Sequence, residues 1–223
     1  MCTVTFLATQ NGFCLTSNRD EKTSRATAVP PQLYKLNGKT IYFPKDPKAG
    51  GTWIAHDSEN IIILLNGAQE KHIPKPKYRK SRGLIALDLI ASESILETWK
   101  TTDLTDIEPF TIVLFDGNGL YQLQWNEIEK SILHLDINIA HIWSSSTLYS
   151  ASIRTQRKIW FEEFLEQNDT ISPESILNFH QFTQKENQEF GLQINRNNEL
   201  KTVSITQCFY SSDGSITMEY LPL

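Results

Sequence analysis

The sequence predicts an α+β protein built on antiparallel sheets. Three observations carry this. Short β-branched runs joined by hairpin signals fill the first 125 residues, two amphipathic stretches occupy the middle, and strand patterns return at the C-terminus.

The first strand, Met1–Thr9, shows apolar alternation at Val4, Phe6 and Ala8. Asn11-Gly12 follows, a dipeptide favoured in two-residue hairpin loops because both central positions need positive φ. Phe13–Asn18 is the return strand. With that loop, Gln10 faces Phe13, which sets Glu21 opposite Cys2, Asp20 opposite Thr3 and Arg19 opposite Val4. Arg19 and Glu21 are then expected on the face of Cys2, since opposed residues share a face. Asn37-Gly38 turns Gln32–Leu36 back into Thr40–Phe43 in the same way. Gly51–His56 and Asn60–Asn66 pair across Asp57-Ser58-Glu59, and Ile112–Phe115 and Leu120–Trp125 flank Asp116-Gly117-Asn118-Gly119.

One helix is predicted from Ser81 or Arg82 to Trp99, with Leu84, Leu87, Ala91 and Ile95 on one stripe. A second runs from Ser150 to Glu166, with Ile153, Trp160, Phe161 and Phe164 inward and Arg157 inside that apolar stripe. A shorter helix follows Pro173, a residue suited to a first turn, behind a Ser172 cap. Lys201–Tyr210, a turn at Ser212-Asp213-Gly214, and Ser215–Leu221 complete the chain. There is no internal repeat or linker, so a single domain over residues 1–223 is expected.

The composition narrows the function. Of 223 residues, 39% are hydrophobic and 21% charged, and the mean hydropathy is -0.34, which excludes a disordered chain and a polytopic membrane protein. The net charge of -5 and a pI near 5.6 argue against nucleic acid as a partner. The longest apolar run, Ile61–Leu65, is too short to span a bilayer, and no basic segment leads into an apolar one at the start. A cytoplasmic protein is the expectation. Three cysteines without CxxC spacing exclude a disulfide scaffold and a cysteine-rich zinc site. The five histidines are scattered, and no metal or cofactor is expected. The segment 71–82 carries six Lys or Arg residues; it reads as a solvated loop, with a basic lip for an anionic ligand as the alternative.

The position of Cys2 stands out. Removal of Met1 would give one residue both a thiol and a free α-amine, whose reference pKa of about 7.7–8.0 suits a base near neutral pH. Nucleophile and base are then built into a single residue. Asn18-Arg19-Asp20-Glu21, four polar residues ending a hairpin, add a cation that favours a thiolate and carboxylates that can hold an ammonium.

Met-Cys-Thr-Val-Thr-Phe at the start, Ser17-Asn18-Arg19-Asp20-Glu21, Arg25, Pro30, Gly50-Gly51-Thr52-Trp53-Ile54, a strand ending in Asn66, and Arg82-Gly83-Leu84 together resemble the NRDE family, also called the transport and Golgi organisation 2 family. The matching blocks lie mostly within residues 1–90. The resemblance implies a four-layer αββα N-terminal-nucleophile (Ntn) hydrolase fold with two antiparallel sheets. More distantly, the N-terminus is similar to choloylglycine hydrolases and penicillin V acylases, which cleave amides through an N-terminal cysteine. It implies Cys2 as nucleophile, Arg19 beside the thiolate, Asp20 or Glu21 orienting the amine, and Asn66 as oxyanion donor. Asn18 and Glu21 are the expected substrate-binding neighbours. Ser145 and Ser146 stand where those families tend to carry an asparagine, and Arg154 or Arg157 is a loose match for a later site arginine. Two functions follow from the resemblance. One is an amidohydrolase acting on a non-peptide carbon–nitrogen bond; the other is a ligand-binding or trafficking protein for a haem-like or acyl-lipid molecule on the same fold. Either way the partner is a small amide, acyl or haem-like molecule.

Overall fold

The computed structural model describes residues 3–223, so Cys2 lies outside the described residues. In chain order the strands begin with β1 (Thr3–Thr9), β2 (Gly12–Lys22), β3 (Val29–Leu36), β4 (Lys39–Lys45), β5 (Ile54–His56) and β6 (Ile61–Asn66). Helices α1 (Arg82–Ile90) and α2 (Ile95–Thr101) follow, then β7 (Phe110–Phe115), β8 (Leu120–Trp125), β9 (Lys130–Leu135) and β10 (His141–Ser144). Helices α3 (Ala151–Glu166) and α4 (Pro173–Phe182) precede β11 (Asn195–Arg196), β12 (Leu200–Ser211) and β13 (Ile216–Pro222). The chain forms two compact units, one combining residues up to Arg25 with Ile137–Leu223, the other comprising Ala26–Asp136.

In the first unit the strand order is β10-β1-β2-β12-β11, and β13 also pairs with β12; every pairing is antiparallel. Alternation along β1 and β2 gives this sheet two chemically distinct faces. Leu7 and Cys14 lie on one of them and pack with Phe161 of α3, Ile176 and Phe179 of α4, and Leu192. The second unit is a seven-stranded antiparallel sheet running β3 to β9 in chain order. Its Ile41, Phe43, Leu64, Ile112, Leu114 and Leu123 pack under Ile85, Leu89 and Ile90 of α1 and Ile95 and Trp99 of α2. Trp99 meets Phe110 edge-on at 5.6 Å between ring centres.

The long helix expected over residues 82–99 is two helices. Ser92 Oγ donates to the Leu89 carbonyl and Ser94 caps α2 by accepting from the Glu97 amide, so the Ser92-Glu93-Ser94 linker offers the backbone partners other than a continuing helix. α3 and α4 start where expected, behind caps at Ser150 and Ser172. Strand β9 was not anticipated. Its Ile132 and Leu133 are both exposed, so it lacks the alternating burial that marks a half-buried strand.

The two Asn-Gly turns part company. Asn37 and Gly38 take φ of 49° and 82°, and Leu36 pairs directly with Lys39, as the sequence predicts. At the first hairpin, however, Thr9 pairs with Gly12, so the loop is Gln10-Asn11 and the register runs Thr3↔Asn18 and Val4↔Ser17. The physical reason lies on β12: a Cβ on Gly12 would sit 1.9 Å from the Tyr210 carbonyl oxygen. The glycine is consumed by this close strand approach, at φ 144°, and the turn moves one residue earlier. From Thr3 onward, each predicted partner on β2 therefore shifts by two positions, and the expected pair of Glu21 with Cys2 lies outside the described residues. A two-residue shift keeps each side chain on its face.

The GGTW and RG-L blocks have a packing role in the second unit. A Cβ on Gly51 would lie 2.4 Å from the Gly83 carbonyl carbon, one on Gly83 2.7 Å from the Thr52 carbonyl oxygen, and the Thr52 amide donates to the Gly83 carbonyl at 3.2 Å. Gly38 has nothing within 4 Å of its ideal Cβ. Gly83→Ala is therefore expected to lower unfolding free energy by about 1–3 kcal/mol through overpacking, and Gly38→Ala by about 1 kcal/mol through its φ alone. Urea denaturation of the two variants checks the order, and a Gly83→Ala variant as stable as the parent would refute the crossing's tightness.

Candidate functional site

The polar end of β2 divides by face. Arg19 follows Ser17 on the Val4 face, while Asn18 and Asp20 follow Thr16 on the Thr3 face. Arg19 and Glu21 share a face as expected, and Arg19 Nη2 lies 3.2 Å from Glu21 Oε2, with Arg25 Nε 3.5 Å from the same oxygen. The predicted pairing of Asp20 with Thr3 and Arg19 with Val4 is corrected to Asn18 with Thr3 and Ser17 with Val4. A bulge accompanies this stretch, on β12 at Val203, between the pairs Asp20↔Thr202 and Arg19↔Ser204.

Asp20 is 5% exposed, and both its oxygens are held. Tyr149 donates its hydroxyl to Oδ2 at 2.6 Å, and Thr202 donates its own to Oδ1 at 2.6 Å. Both hydroxyls must donate, because a carboxylate oxygen only accepts, and Thr202 Oγ1 in turn accepts from the Ile194 amide at 2.8 Å. Among the described residues Asp20 makes no ion pair. Two cations pack against the ring of its partner Tyr149: the Arg157 guanidinium at 3.6 Å from the ring centre, and Arg196 at 5.3 Å.

Arg157 is completely buried. It donates to Thr3 Oγ1 at the start of β1 and to the Phe190 and Gly191 carbonyls, tying α3 to β1 and to the segment before β11. Carbonyl dipoles and an aromatic face thus surround this cation, and among the described residues no carboxylate pairs with it. Its place inside an apolar stripe was the local sign of this network in the sequence, beside its loose match to a family arginine. Tyr149, Thr202 and Arg196 carried no comparable sign, since they come from a loop and two late strands.

Asn18, an expected substrate contact, is fully engaged within the first unit. Its Nδ2 donates to the Leu192 carbonyl at 2.8 Å and the His180 carbonyl at 3.2 Å, and its Oδ1 bonds to His180 Nδ1. Since that oxygen can only accept, Nδ1 carries the proton, and His180 Nε2 accepts from Thr5 Oγ1 at 2.8 Å. Hydroxyl, imidazole and amide thus line up as nucleophile, base and orienting group do in acyl-transfer enzymes. All three residues are wholly buried, and burial, with Arg157 nearby, lowers the His180 pKa to about 3. This trio is a polar pin between β1, β2 and α4.

Asn66 ends β6 of the second unit, opposite Phe110. Ser145 and Ser146 are buried in the first unit, and Ser145 Oγ lies 2.8 Å from Thr147 Oγ1. Cys14 and Cys208 are core residues on opposite faces, since Cys208 pairs with Leu15. Burial pushes the Cys14 thiol up to about 12 and raises Cys208 as well. The basic segment 71–82 is largely neutralised: Lys75 meets Glu127 and Asp106, Arg79 meets Asp103, Lys80 meets Asp88, and Arg82 meets Glu108. It is a strap tied to its own unit. Among the described residues, no three His, Cys, Asp or Glu side chains gather as a metal site. No helix among the described residues is long and apolar enough to cross a membrane.

A family model described as "Transport and Golgi organisation 2" matches residues 1–218. Among solved structures, the chain is similar to a C2A mutant of the conjugated bile acid hydrolase from Clostridium perfringens, with a TM-score of 0.52 at 9% identity over 100% of this chain and 92% of that one. It is likewise similar to penicillin V acylase from Agrobacterium tumefaciens, with a TM-score of 0.52 at 9% identity over 100% of this chain and 86% of that one. At such identity the likeness shows the fold, that of the Ntn hydrolases. No curated protein matches the sequence.

The buried His180 makes stability pH-dependent. Its folded pKa is depressed to about 3 against 6.5 ordinarily, so its contribution is intact above 6.5 and lost as pH falls from there toward 3, because only the unfolded chain takes up the proton. Urea denaturation between pH 7.5 and 4.5 is expected to show unfolding free energy falling by about 1 kcal/mol per pH unit below 6.5. His180→Gln should be less stable at pH 7 and have a shallower acid slope; equal slopes would refute the assignment.

Proposed function

The chain belongs to the Transport and Golgi organisation 2 family, and on that premise we propose that it is an N-terminal cysteine hydrolase of a non-peptide amide, with Cys2 as nucleophile once Met1 is removed. The reading takes residues 1–223 as one functional domain in the cytoplasm. The observation that carries it is Asp20: a buried carboxylate, held by two hydroxyls, that makes no ion pair among the described residues. A buried carboxylate calls for a cation. Were the Thr3↔Asn18 register to continue by one residue, Cys2 would stand opposite Arg19 with its amine toward Asp20. A terminal ammonium at Cys2 would then supply the cation, and β-strand alternation would put its thiol on the Arg19 face.

In this mechanism the Cys2 α-amine takes the thiol proton while Sγ attacks the amide carbon, forming a tetrahedral oxyanion. Arg19 stabilises the thiolate. The ammonium returns its proton to the leaving nitrogen, the carbon–nitrogen bond breaks, and an acyl thioester remains. Water then attacks with the amine as base, releasing the acid and regenerating the thiol. Asn66 enters as oxyanion donor by family resemblance alone, a role worth about 3–4 kcal/mol where it operates. In this reading Asp20 takes the amine, a choice its open lone pairs support, and Glu21, which bridges Arg19 and Arg25, steadies Arg19 beside the substrate. Asn18 acts from behind, anchoring β2.

The intact mass of the purified full chain is expected to lack one methionine, and 2-cyanobenzothiazole, which condenses with a free 1,2-aminothiol, should add once. Iodoacetamide at pH 7 should modify Cys2 and spare Cys14 and Cys208, whose thiols are buried with raised pKa. Retained Met1, or a Cys2 inert to both reagents, would eliminate the hydrolase reading.

A further inference from the structure

We propose that Tyr149 and Thr202 are positioning residues of this hydrolase, aiming the Asp20 carboxylate at the Cys2 amine, with Arg157 fixing the Tyr149 ring from below. The inference rests on the proposed hydrolase reading and adds to it the residues that orient its carboxylate.

Asp20 emerges near the end of β2, where a carboxylate could rotate about its terminal torsion. Two hydroxyls remove that freedom. Thr202 Oγ1 accepts from the Ile194 amide, which holds the oxygen in place, and donates its proton to Asp20 Oδ1. Tyr149 is 2% exposed, and its ring plane is set by the Arg157 guanidinium stacked at 3.6 Å, itself immobilised by Thr3, Phe190 and Gly191. Its hydroxyl therefore meets Asp20 Oδ2 from one direction. A carboxylate has about four acceptor sites, and these bonds use two, leaving lone pairs for an ammonium. One cation, Arg157, thus joins Thr3 in β1 to the tyrosine that holds Asp20. The placement of β1's first residues and the aim of the carboxylate become one geometric event.

The charged groups around Asp20 are Arg157 on α3 and Arg196 on β11, both against the Tyr149 ring, and its strand neighbours Arg19 and Glu21, whose side chains project to the opposite face. Tyr149→Phe keeps the ring that Arg157 stacks on and removes only the hydroxyl. Thr202→Val removes the second donor, and Thr202→Ser restores it.

The test is the pH dependence of Cys2 alkylation by iodoacetamide in the full chain, read by mass spectrometry. With Asp20 misaimed, the ammonium is less well held and favours the thiolate less. The midpoint should then move to higher pH by about half a unit or more in Tyr149→Phe and in Thr202→Val, which is about threefold slower labelling below the midpoint. Thr202→Ser should match the parent. A purely structural role would lower the melting temperature without moving the midpoint. An unmoved or downward-shifted midpoint in a variant whose Cys2 is still labelled overturns the inference and leaves the hydrolase reading standing. A parent chain whose Cys2 is unprocessed or inert removes both.

Discussion

The approach of β2 to β12 at Gly12 is the constraint on which the first unit depends. No side chain fits there, since a Cβ would lie 1.9 Å from the Tyr210 carbonyl oxygen. With that contact made, Gly12 faces Ser211 on one side and Thr9 on the other, and three strands are locked in one register. Everything at the far end of β2 inherits that choice. Asn18 arrives beside Thr3, Asp20 beside Thr202, and Arg19 on the opposite face. A slip of one residue would exchange the faces of Arg19 and Asp20 and expose the hydrophobic set.

The helix-covered face of this sheet is unusually polar for a core, and hydrogen bonds hold it in place of charge neutralisation. Asn18 joins His180 and two carbonyls, while Arg157 joins Thr3 and two further carbonyls. Polar groups buried in this way are tolerated because each finds a partner, and the directionality of those bonds sets where β1 begins relative to α3 and α4. Asp20, like Arg157, has no opposite charge in contact among the described residues; two neutral donors hold it and leave lone pairs open.

The blocks by which the sequence resembles its family divide in the structure by the work they do. Gly51 and Gly83, from the GGTW and RG-L blocks, cross each other within the second unit at a distance only glycine permits. These glycines have a packing role. The Asn-Arg-Asp-Glu block mixes roles: Asn18 pins β2 to α4, Glu21 bridges two arginines, and Asp20 is held by hydroxyls from a loop and from β12. The basic segment, which suggested an anion-attracting lip, is spent on acidic partners such as Asp103 and Glu108.

Local chemistry was enough to read much of this from the chain. Alternation and turn residues gave most strands, capping serines marked the starts of α3 and α4, and the N-terminal and Asn-Arg-Asp-Glu blocks pointed to the family, because these signals act within a few residues. The β9 edge and the break between α1 and α2 escaped, since neither has a strong local signature. The register of the first hairpin, the face and partners of each polar residue, and the part played by Tyr149, Thr202 and Arg157 belong to the tertiary structure. The reason is one of distance along the chain. Asn11-Gly12 alone favours its own two-residue loop, and only a carbonyl of Tyr210, brought alongside by folding, makes the glycine more valuable one step later.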